Sequence, residues 1–85
     1  MFEINFTEHA KKDLDKLSSN IQKRIIKKLQ FFSPQANPIM FSKSLINLSP
    51  ATHRFRVGDY RIAFYIMGKI IYIERIRHRR EVYQA

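Results

Sequence analysis

The beginning of the chain changes from an alternating pattern to a helical one. Apolar residues first occupy every second position, namely Phe2, Ile4 and Phe6. This period of two predicts a strand over residues 2–6 with one buried face. Thr7 then offers an N-cap for a helix. The apolar stripe of that helix consists of Ala10, Leu14 and Leu17.

A second helix is predicted after a short polar break. Ser18, Ser19 and Asn20 interrupt the apolar pattern and offer a new cap. Apolar residues then recur at helical spacing over residues 20–32, which predicts a helical hairpin. Four cations lie away from the apolar stripe: Lys23, Arg24, Lys27 and Lys28. They form either a solubilising helix face or a second surface that contacts phosphate.

Residues 33–50 hold all three prolines of the chain, and Pro34 and Pro38 exclude a continuing helix. The segment is nevertheless too apolar for an unattached linker, with residues such as Phe41 and Leu45. We therefore expect a connection that packs over one edge of a sheet, and no domain boundary.

Three strand-like runs complete the pattern. They span residues 53–57, 60–67 and 70–77, with turns at Gly58-Asp59 and Gly68-Lys69. The order strand, helix, helix, strand, strand, strand predicts a single α+β domain over residues 1–85. In this fold the two-helix hairpin packs on one face of an antiparallel β-sheet and leaves the other face open.

The composition adds a strong positive charge to this picture. There are 16 Lys and Arg against 7 Asp and Glu, and the net charge is +9. Such an excess favours nucleic acid or an acidic protein as partner. No apolar run approaches the ~20 residues that span a bilayer, and the N-terminus does not resemble a secretory signal. The absence of cysteine excludes disulfides and suits a reducing cytoplasm, the expected compartment.

The predicted strands carry much of this charge. Between His53 and Tyr83 there are eight cations and only three acids. Arg54 and Arg56 project the same way from one strand, and Arg61 can share their face. Guanidinium groups that converge on one face repel one another unless an anion neutralises them, so phosphate is the natural ligand. The alternative is a cationic face that is solvated and binds no ligand. More arginines lie where the last strand ends: Arg77, Arg79 and Arg80.

Two other side chains near these arginines have suitable chemistry for a reaction. His78 lies among cations that disfavour its protonated form, which suits a neutral base, although a surface histidine at a strand end is the alternative. Tyr83 follows the last strand and could stack on a nucleobase or orient a reacting hydroxyl. No metal site or cofactor is expected, because His9, His53 and His78 lack ligand spacing and the carboxylates are scattered.

Residues 53–66 read HRFRVGDYRIAFYI, and residues 77–83 read RHRREVY. Together these motifs resemble the RelE/ParE toxin superfamily of bacterial and archaeal toxin–antitoxin systems. The family pattern has an aromatic residue where this chain has His53. The helical hairpin and the segment FSKSLINLSP at residues 41–50 also fit, so the resemblance covers essentially the whole chain.

The resemblance implies a compact toxin that cleaves mRNA. RelE-like members cut the message in the ribosomal A site without a metal, by attack of a ribose 2′-hydroxyl on the adjacent phosphate. By position, the family's basic and aromatic site residues correspond to Arg54, Arg56, Arg61, Arg79 (or Arg80) and Tyr83. With His78 added from its own chemistry, the expected catalytic residues are Arg61, His78, Arg79 and Tyr83. The expected RNA- and phosphate-binding residues are Arg54, Arg56, Arg77 and Arg80.

One departure from the family pattern keeps other functions open. RelE-like enzymes carry lysines where this chain has Arg54 and Arg56, and a guanidinium group holds its proton too tightly to act as a general base. Cleavage would then need His78 or Tyr83 as the base. The alternatives are a ParE-like inhibitor of DNA gyrase without catalysis, and a degenerate member that only binds its antitoxin or RNA.

Every one of these functions implies a cognate acidic antitoxin as partner, because a positively charged toxin needs neutralisation. The nuclease function adds a second partner, the ribosome with mRNA in its A site. DNA gyrase takes that place in the alternative.

Overall fold

The computed structural model, which describes residues 1–45 and 49–80, has two α-helices and five β-strands in those residues. Both helices and four of the strands form from the predicted segments, and the fifth strand lies in the predicted connection. The elements are β1 (Glu3–Phe6), α1 (Glu8–Asp15), α2 (Ser19–Phe32), a 3₁₀ turn (Pro38–Phe41), β2 (Lys43–Ser44), β3 (His53–Val57), β4 (Tyr60–Met67) and β5 (Ile70–His78). Neither helix is long and apolar enough to cross a membrane.

Both helices begin at caps that the sequence predicts. The side-chain oxygens of Thr7 and Ser18 each accept a hydrogen bond from the backbone N–H three residues later, at 3.3 and 3.4 Å. Gln22 then closes the hairpin, because its Nε2 donates to the carbonyls of Leu14 and Leu17 at 2.9 and 3.0 Å. Leu14 lies in the last turn of α1 and Leu17 just beyond it, so these bonds tie the start of α2 to the end of α1.

The strands form one sheet in the order β1-β5-β4-β3-β2. The predicted α+β class is confirmed, but the sheet is mixed, because the crossover through α1 and α2 brings β1 parallel to β5. β2 belongs to the proline-containing connection and pairs with β3 at the sheet edge. The connection therefore reaches an edge of the sheet, as predicted, but it adds a short strand there instead of packing over the edge.

The core lies between the helices and one face of the sheet. Phe55 of β3 stacks between Phe32 of α2 and Phe64 of β4, with ring centroids 3.9 and 4.1 Å apart. All three rings are buried. Five isoleucines from α2, β4 and β5 also belong to the core: Ile25, Ile62, Ile71, Ile73 and Ile76. This packing fixes the register of β3 and β4, and so also the residues that alternate with Phe55 and Phe64 on the opposite face.

A bulge in β5 decides which way its second half faces. Phe64 pairs with Ile73, whereas the preceding residue of β4, Ala63, pairs with Arg75, so β5 has one extra residue at this point. Without the bulge, Arg75 and Arg77 would follow Ile73 into the core. The extra residue turns both arginines to the open face of the sheet, away from the core.

Candidate functional site

The open face carries three arginines in one row across three strands. Arg56 of β3 pairs with Arg61 of β4, and Arg61 pairs with Arg77 of β5. Neighbouring strands lie about 4.8 Å apart, and like charges directly opposite one another destabilise a sheet. We call these three residues the arginine row. Its register confirms that Arg56 and Arg61 share the open face, as the alternation predicts.

The turn between β3 and β4 holds two members of the row. Arg61 is only 9% exposed, and its Nη1 donates to the carbonyl oxygens of Gly58 and Tyr60 at 3.2 and 3.3 Å. Arg56 Nε donates to the same Gly58 carbonyl at 3.4 Å. Gly58 has a φ of 58°, a conformation that glycine adopts without strain. These acceptors are neutral, so they orient the guanidinium groups and leave their positive charge uncompensated.

Arg77, the third member, has an unmet hydrogen-bond donor. Its Nε is buried and has no hydrogen-bond partner within the described residues. The ion pairs found in this part of the chain involve other cations and leave out the whole row. A buried donor without a partner costs about 1–3 kcal/mol. The row therefore combines an unmet donor with excess positive charge, and an anion would offset that charge.

Arg75 lies two residues before Arg77 on the same strand and is fully engaged. Its Nε and Nη2 donate to the two carboxylate oxygens of Asp13 in α1, at 2.9 and 3.3 Å. Asp13 Oδ2 also accepts the backbone N–H of Ile76 at 2.9 Å. This bidentate pair fastens α1 to β5 and leaves Arg75 without charge to offer a ligand.

Arg54 belongs to a second, less charged row. It pairs with Lys43 of β2 on one side and with Ala63 of β4 on the other. It shares the open face with the arginine row but lies two residues along β3 from Arg56, or about 7 Å. A polyanion with successive phosphate groups could contact Arg54 and the arginine row at the same time.

Arg79, the residue that follows β5, contacts the Gly58-Asp59 turn. The backbone N–H of Arg79 donates to the carbonyl of Asp59 at 2.7 Å. Its Nη1 also lies 3.9 Å from Asp59 Oδ1, with both side chains more than half exposed. Such an exposed and long ion pair is weak. Arg79 thus reaches the Gly58-Asp59 turn with its guanidinium accessible at the rim of the arginine row.

His78 lies on the other side of the sheet from the row. It pairs with Tyr60, and the two rings meet edge to face at 5.3 Å between centroids. Its Nδ1 accepts the backbone N–H of Arg80 at 3.2 Å. A neutral imidazole with Nδ1 as acceptor carries its proton on Nε2. In this arrangement Nε2–H can donate a hydrogen bond, and a second proton can bind at Nδ1 only after Nδ1 releases Arg80.

The structure thus gathers most of the predicted site around one turn. The arginine row and Arg79 surround Gly58-Asp59, Arg54 lies one row away, and His78 faces the core side. Tyr83 lies outside the described residues. No three His, Asp or Glu side chains in residues 1–45 and 49–80 are grouped as metal ligands would be. The roles of the individual residues stay predictions.

Two features of this region have weak or absent signals in the sequence. Asp13 and Arg75 are 62 residues apart, and no local pattern links them. Arg24 of α2 reaches Gly58 so closely that a Cβ at that glycine would lie 2.9 Å from its Nη2. The cationic face of α2 is the available sequence signal for Arg24, and it does not indicate the contact with Gly58.

Comparison with known proteins relates the chain to a family. The chain matches the family model described as ParE toxin of type II toxin–antitoxin system, parDE, over residues 4–83. A comparison with curated proteins gives no significant match.

Solved structures of toxins and toxin–antitoxin complexes resemble the fold. The RelBE2 complex from Mycobacterium tuberculosis matches with 26% identity and a TM-score of 0.72, covering 91% of this chain and 96% of that one. The RelB–RelE complex from Methanococcus jannaschii matches with 28% identity and a TM-score of 0.63, covering 93% and 94%. The isolated Escherichia coli RelE toxin, at 21% identity, matches with a TM-score of 0.73, covering 99% and 93%. This last likeness is one of fold alone.

Proposed function

The chain belongs to the ParE toxin family of type II toxin–antitoxin systems, and from this premise we propose that it is a ribosome-dependent, metal-independent mRNA endonuclease. The observation that carries the proposal is the arginine row, whose three guanidinium groups lie in register and have no carboxylate partner among the described residues. A phosphate group presents several acceptor oxygens to guanidinium forks. An RNA phosphate would thus provide what the row lacks.

The same row would favour the transition state over the bound message. When the ribose 2′-oxygen attacks the adjacent phosphorus, negative charge builds up on the phosphate oxygens. Donors already fixed in place, such as Arg61 held by the turn carbonyls, stabilise that charge without reorganising. Arg54 and Arg56 would bind the neighbouring phosphates, with Arg80 at the strand end.

The bond changes balance without a metal or an external reactant. The bond from phosphorus to the 2′-oxygen forms and the bond to the 5′-oxygen breaks, which leaves a 2′,3′-cyclic phosphate and a 5′-hydroxyl. The 2′-hydroxyl proton passes to a base, and the departing 5′-oxygen receives a proton. His78 can give up a proton only as the imidazolium, which carries protons on both ring nitrogens, so its Nδ1 must first release the Arg80 N–H. The ring must also reach the row from the other side of the sheet. Tyr83 is then the candidate base, and Arg79 the candidate group beside the leaving oxygen.

The test is cleavage on programmed ribosomes, with mRNA ends mapped by primer extension. We expect the wild-type toxin to cut the message, and Arg61→Ala and Arg77→Gln each to slow cleavage by about 10²-fold or more, as the loss of an oxyanion donor does. Lys12→Gln removes one exposed cation from α1 and should leave the rate unchanged. Intact message at saturating toxin would overturn the proposal.

We also propose a cognate antitoxin with an acidic segment, and a cytoplasmic site of action on the ribosome. The RelBE structures that resemble this chain are toxin–antitoxin complexes, and the net charge of +9 suits an acidic partner. Co-purification with the product of the adjacent open reading frame would test the pairing.

A second function has specific support, inhibition of DNA gyrase. The matched family model carries the ParE description, and arginines stand at Arg54 and Arg56 where strong RelE-type nucleases have lysines. Inhibited supercoiling together with uncut message would assign the chain to this function. Absence of growth arrest on expression would instead indicate a degenerate member.

A further inference from the structure

A cationic cleft lies between α2 and the end of β3, beside the arginine row. It has a volume of about 470 Å³. Four of the side chains that line it are positive: Arg24, Lys27, Lys28 and Arg56. The other lining residues are Phe31, Val57 and Gly58, so no acidic side chain from residues 1–45 or 49–80 lines it. We call it the α2 cleft.

The charge pattern of α2 differs from that of an ordinary solubilising helix. α2 contains no Asp or Glu anywhere along its length. Arg24, Lys27 and Lys28 are three and four residues apart, a spacing at which like charges repel across one helix face. α1 by contrast mixes its signs and pairs Lys11 with Glu8 at 3.8 Å. A solubilising role would be served by mixed charges, so the single sign of α2 points to an anionic ligand.

Gly58 joins the cleft to the arginine row. On one side of this residue the Arg24 guanidinium rests where a side chain would otherwise be, 2.9 Å from the position of a Cβ. On the other side its carbonyl accepts hydrogen bonds from Arg56 and Arg61. Arg56 also lines the α2 cleft. Positive charge therefore continues around the turn from the open face of the sheet to the helix.

An exposed aromatic ring indicates which polyanion fits. Phe31 is 47% exposed although it lines the cleft, and Lys28 Nζ lies 5.2 Å from the centre of its ring. Phe41 supports the ring edge to face at 5.6 Å. Cations beside an accessible aromatic face are the features that bind a nucleic acid strand, with phosphates on the cations and a base on the ring. An acidic peptide would use the cations but not the ring face.

We propose that the α2 cleft binds the sugar–phosphate backbone of RNA, with one base against Phe31. The proposal deepens the proposed function, because it continues the RNA path from the arginine row across Gly58 onto α2. The message and ribosomal RNA offer the same phosphodiester chemistry, and the experiment separates these two sources.

The experiment measures binding to RNA that cannot be cleaved. A labelled 2′-O-methyl RNA of about 12 nucleotides lacks the attacking hydroxyl and is long enough for one site. The test variant is Lys27→Gln/Lys28→Gln. Its matched control, Lys12→Gln/Lys23→Gln, removes two exposed lysines of the same charge outside the cleft. Fluorescence anisotropy over a range of salt concentrations gives the affinity and its salt dependence, and a second arm uses vacant ribosomes.

The test variant loses two phosphate contacts, which should weaken binding roughly twentyfold at ~0.1 M salt. The slope of log affinity against log salt concentration should fall in magnitude by about 1.4, because each contact releases ~0.7 counterion. The control variant should retain both values. Phe31→Leu should lose affinity with the slope unchanged, because stacking releases no counterions. If the test variant loses affinity for the oligonucleotide, the cleft binds single-stranded RNA such as the message. If it loses affinity for ribosomes alone, the cleft binds ribosomal RNA.

Equal affinity of the test and control variants in both arms would overturn the inference. So would a test variant that loses only antitoxin binding. Because the readout is binding to uncleavable RNA, a toxin that fails to cut programmed ribosomes removes the proposed function without deciding the result at the cleft.

Discussion

Arg75 and Arg77 stand two residues apart on β5 and face the same side of the sheet, yet their surroundings differ in kind. Arg75 donates twice to Asp13, and the pair fastens α1 to the sheet. Arg77 lies beside Arg61, and its buried Nε meets no acceptor in the part of the chain that the structure describes. One strand thus carries an arginine used for the fold and an arginine that the fold leaves unsatisfied.

The difference shows how a structural cation can be told from one that binds a ligand. A cation that serves the fold is matched within the fold, here by a carboxylate held on a helix. A cation without such a match destabilises the protein until an external anion arrives. The arginine row belongs to the second class, because the turn that orients it supplies only neutral carbonyls.

The largest effect is expected at the structural side of this comparison. Asp13→Ala leaves Arg75 without a partner and also removes the acceptor of the Ile76 N–H. We expect a loss of about 3 kcal/mol in the free energy of unfolding. This corresponds to roughly 15 °C in Tm for a domain of this size. Urea denaturation measures it, and Asp15→Ala, an exposed position on the same helix, should stay within about 0.5 kcal/mol. Equal losses would contradict the structural role of Asp13.

A smaller effect is expected at the turn that orients the row. Gly58→Ala forces a residue with a Cβ into the left-handed conformation and places that Cβ 2.9 Å from Arg24 Nη2. We therefore expect a loss of about 2 kcal/mol in the free energy of unfolding. Gly68→Ala is the matched control, because Gly68 has a similar φ of 61° and no atom within 4 Å of the added Cβ. It should cost about 1 kcal/mol from backbone strain alone. Identical losses of stability in thermal unfolding would mean that the Arg24 side chain moves away from the added Cβ without destabilising the protein.

The smallest effect on stability is expected at Arg79. Its ion pair with Asp59 is 3.9 Å long and exposed, so it should act like an unmatched cation. Arg79→Gln should change the free energy of unfolding by less than about 0.5 kcal/mol. A loss as large as that of Asp13→Ala would place Arg79 with Arg75 on the structural side.

The helices, the strands and one face of the site follow from local patterns. Thr7 and Ser18 cap the helices because their side chains compete well for backbone donors, and such preferences are visible in sequence. The alternation of Arg54, Phe55 and Arg56 places both arginines opposite the core because the side-chain period of a strand is two. The direction of β1 depends on the crossover, so it is not a local property.

The distinction between Arg75 and Arg77 could not be predicted in this way. The positions of both arginines depend on the bulge in β5, which moves their side chains to the open face. A bulge changes the sheet face on which every later residue of the strand lies. Their different roles depend in addition on Asp13, which folding brings from α1. Sequence reasoning finds the cations, but the location of the carboxylates decides which of them remain available.

The most direct test of this account compares Arg75→Met with Arg77→Met in urea denaturation. Methionine keeps most of the side-chain length and removes the guanidinium. We expect Arg75→Met to lose about 2 kcal/mol in the free energy of unfolding, because the mostly buried Asp13 is left without its partner. Arg77→Met should instead be as stable as wild type or gain about 1 kcal/mol, because an unmet donor and a like charge disappear. An equal loss of stability in the two variants would contradict the account.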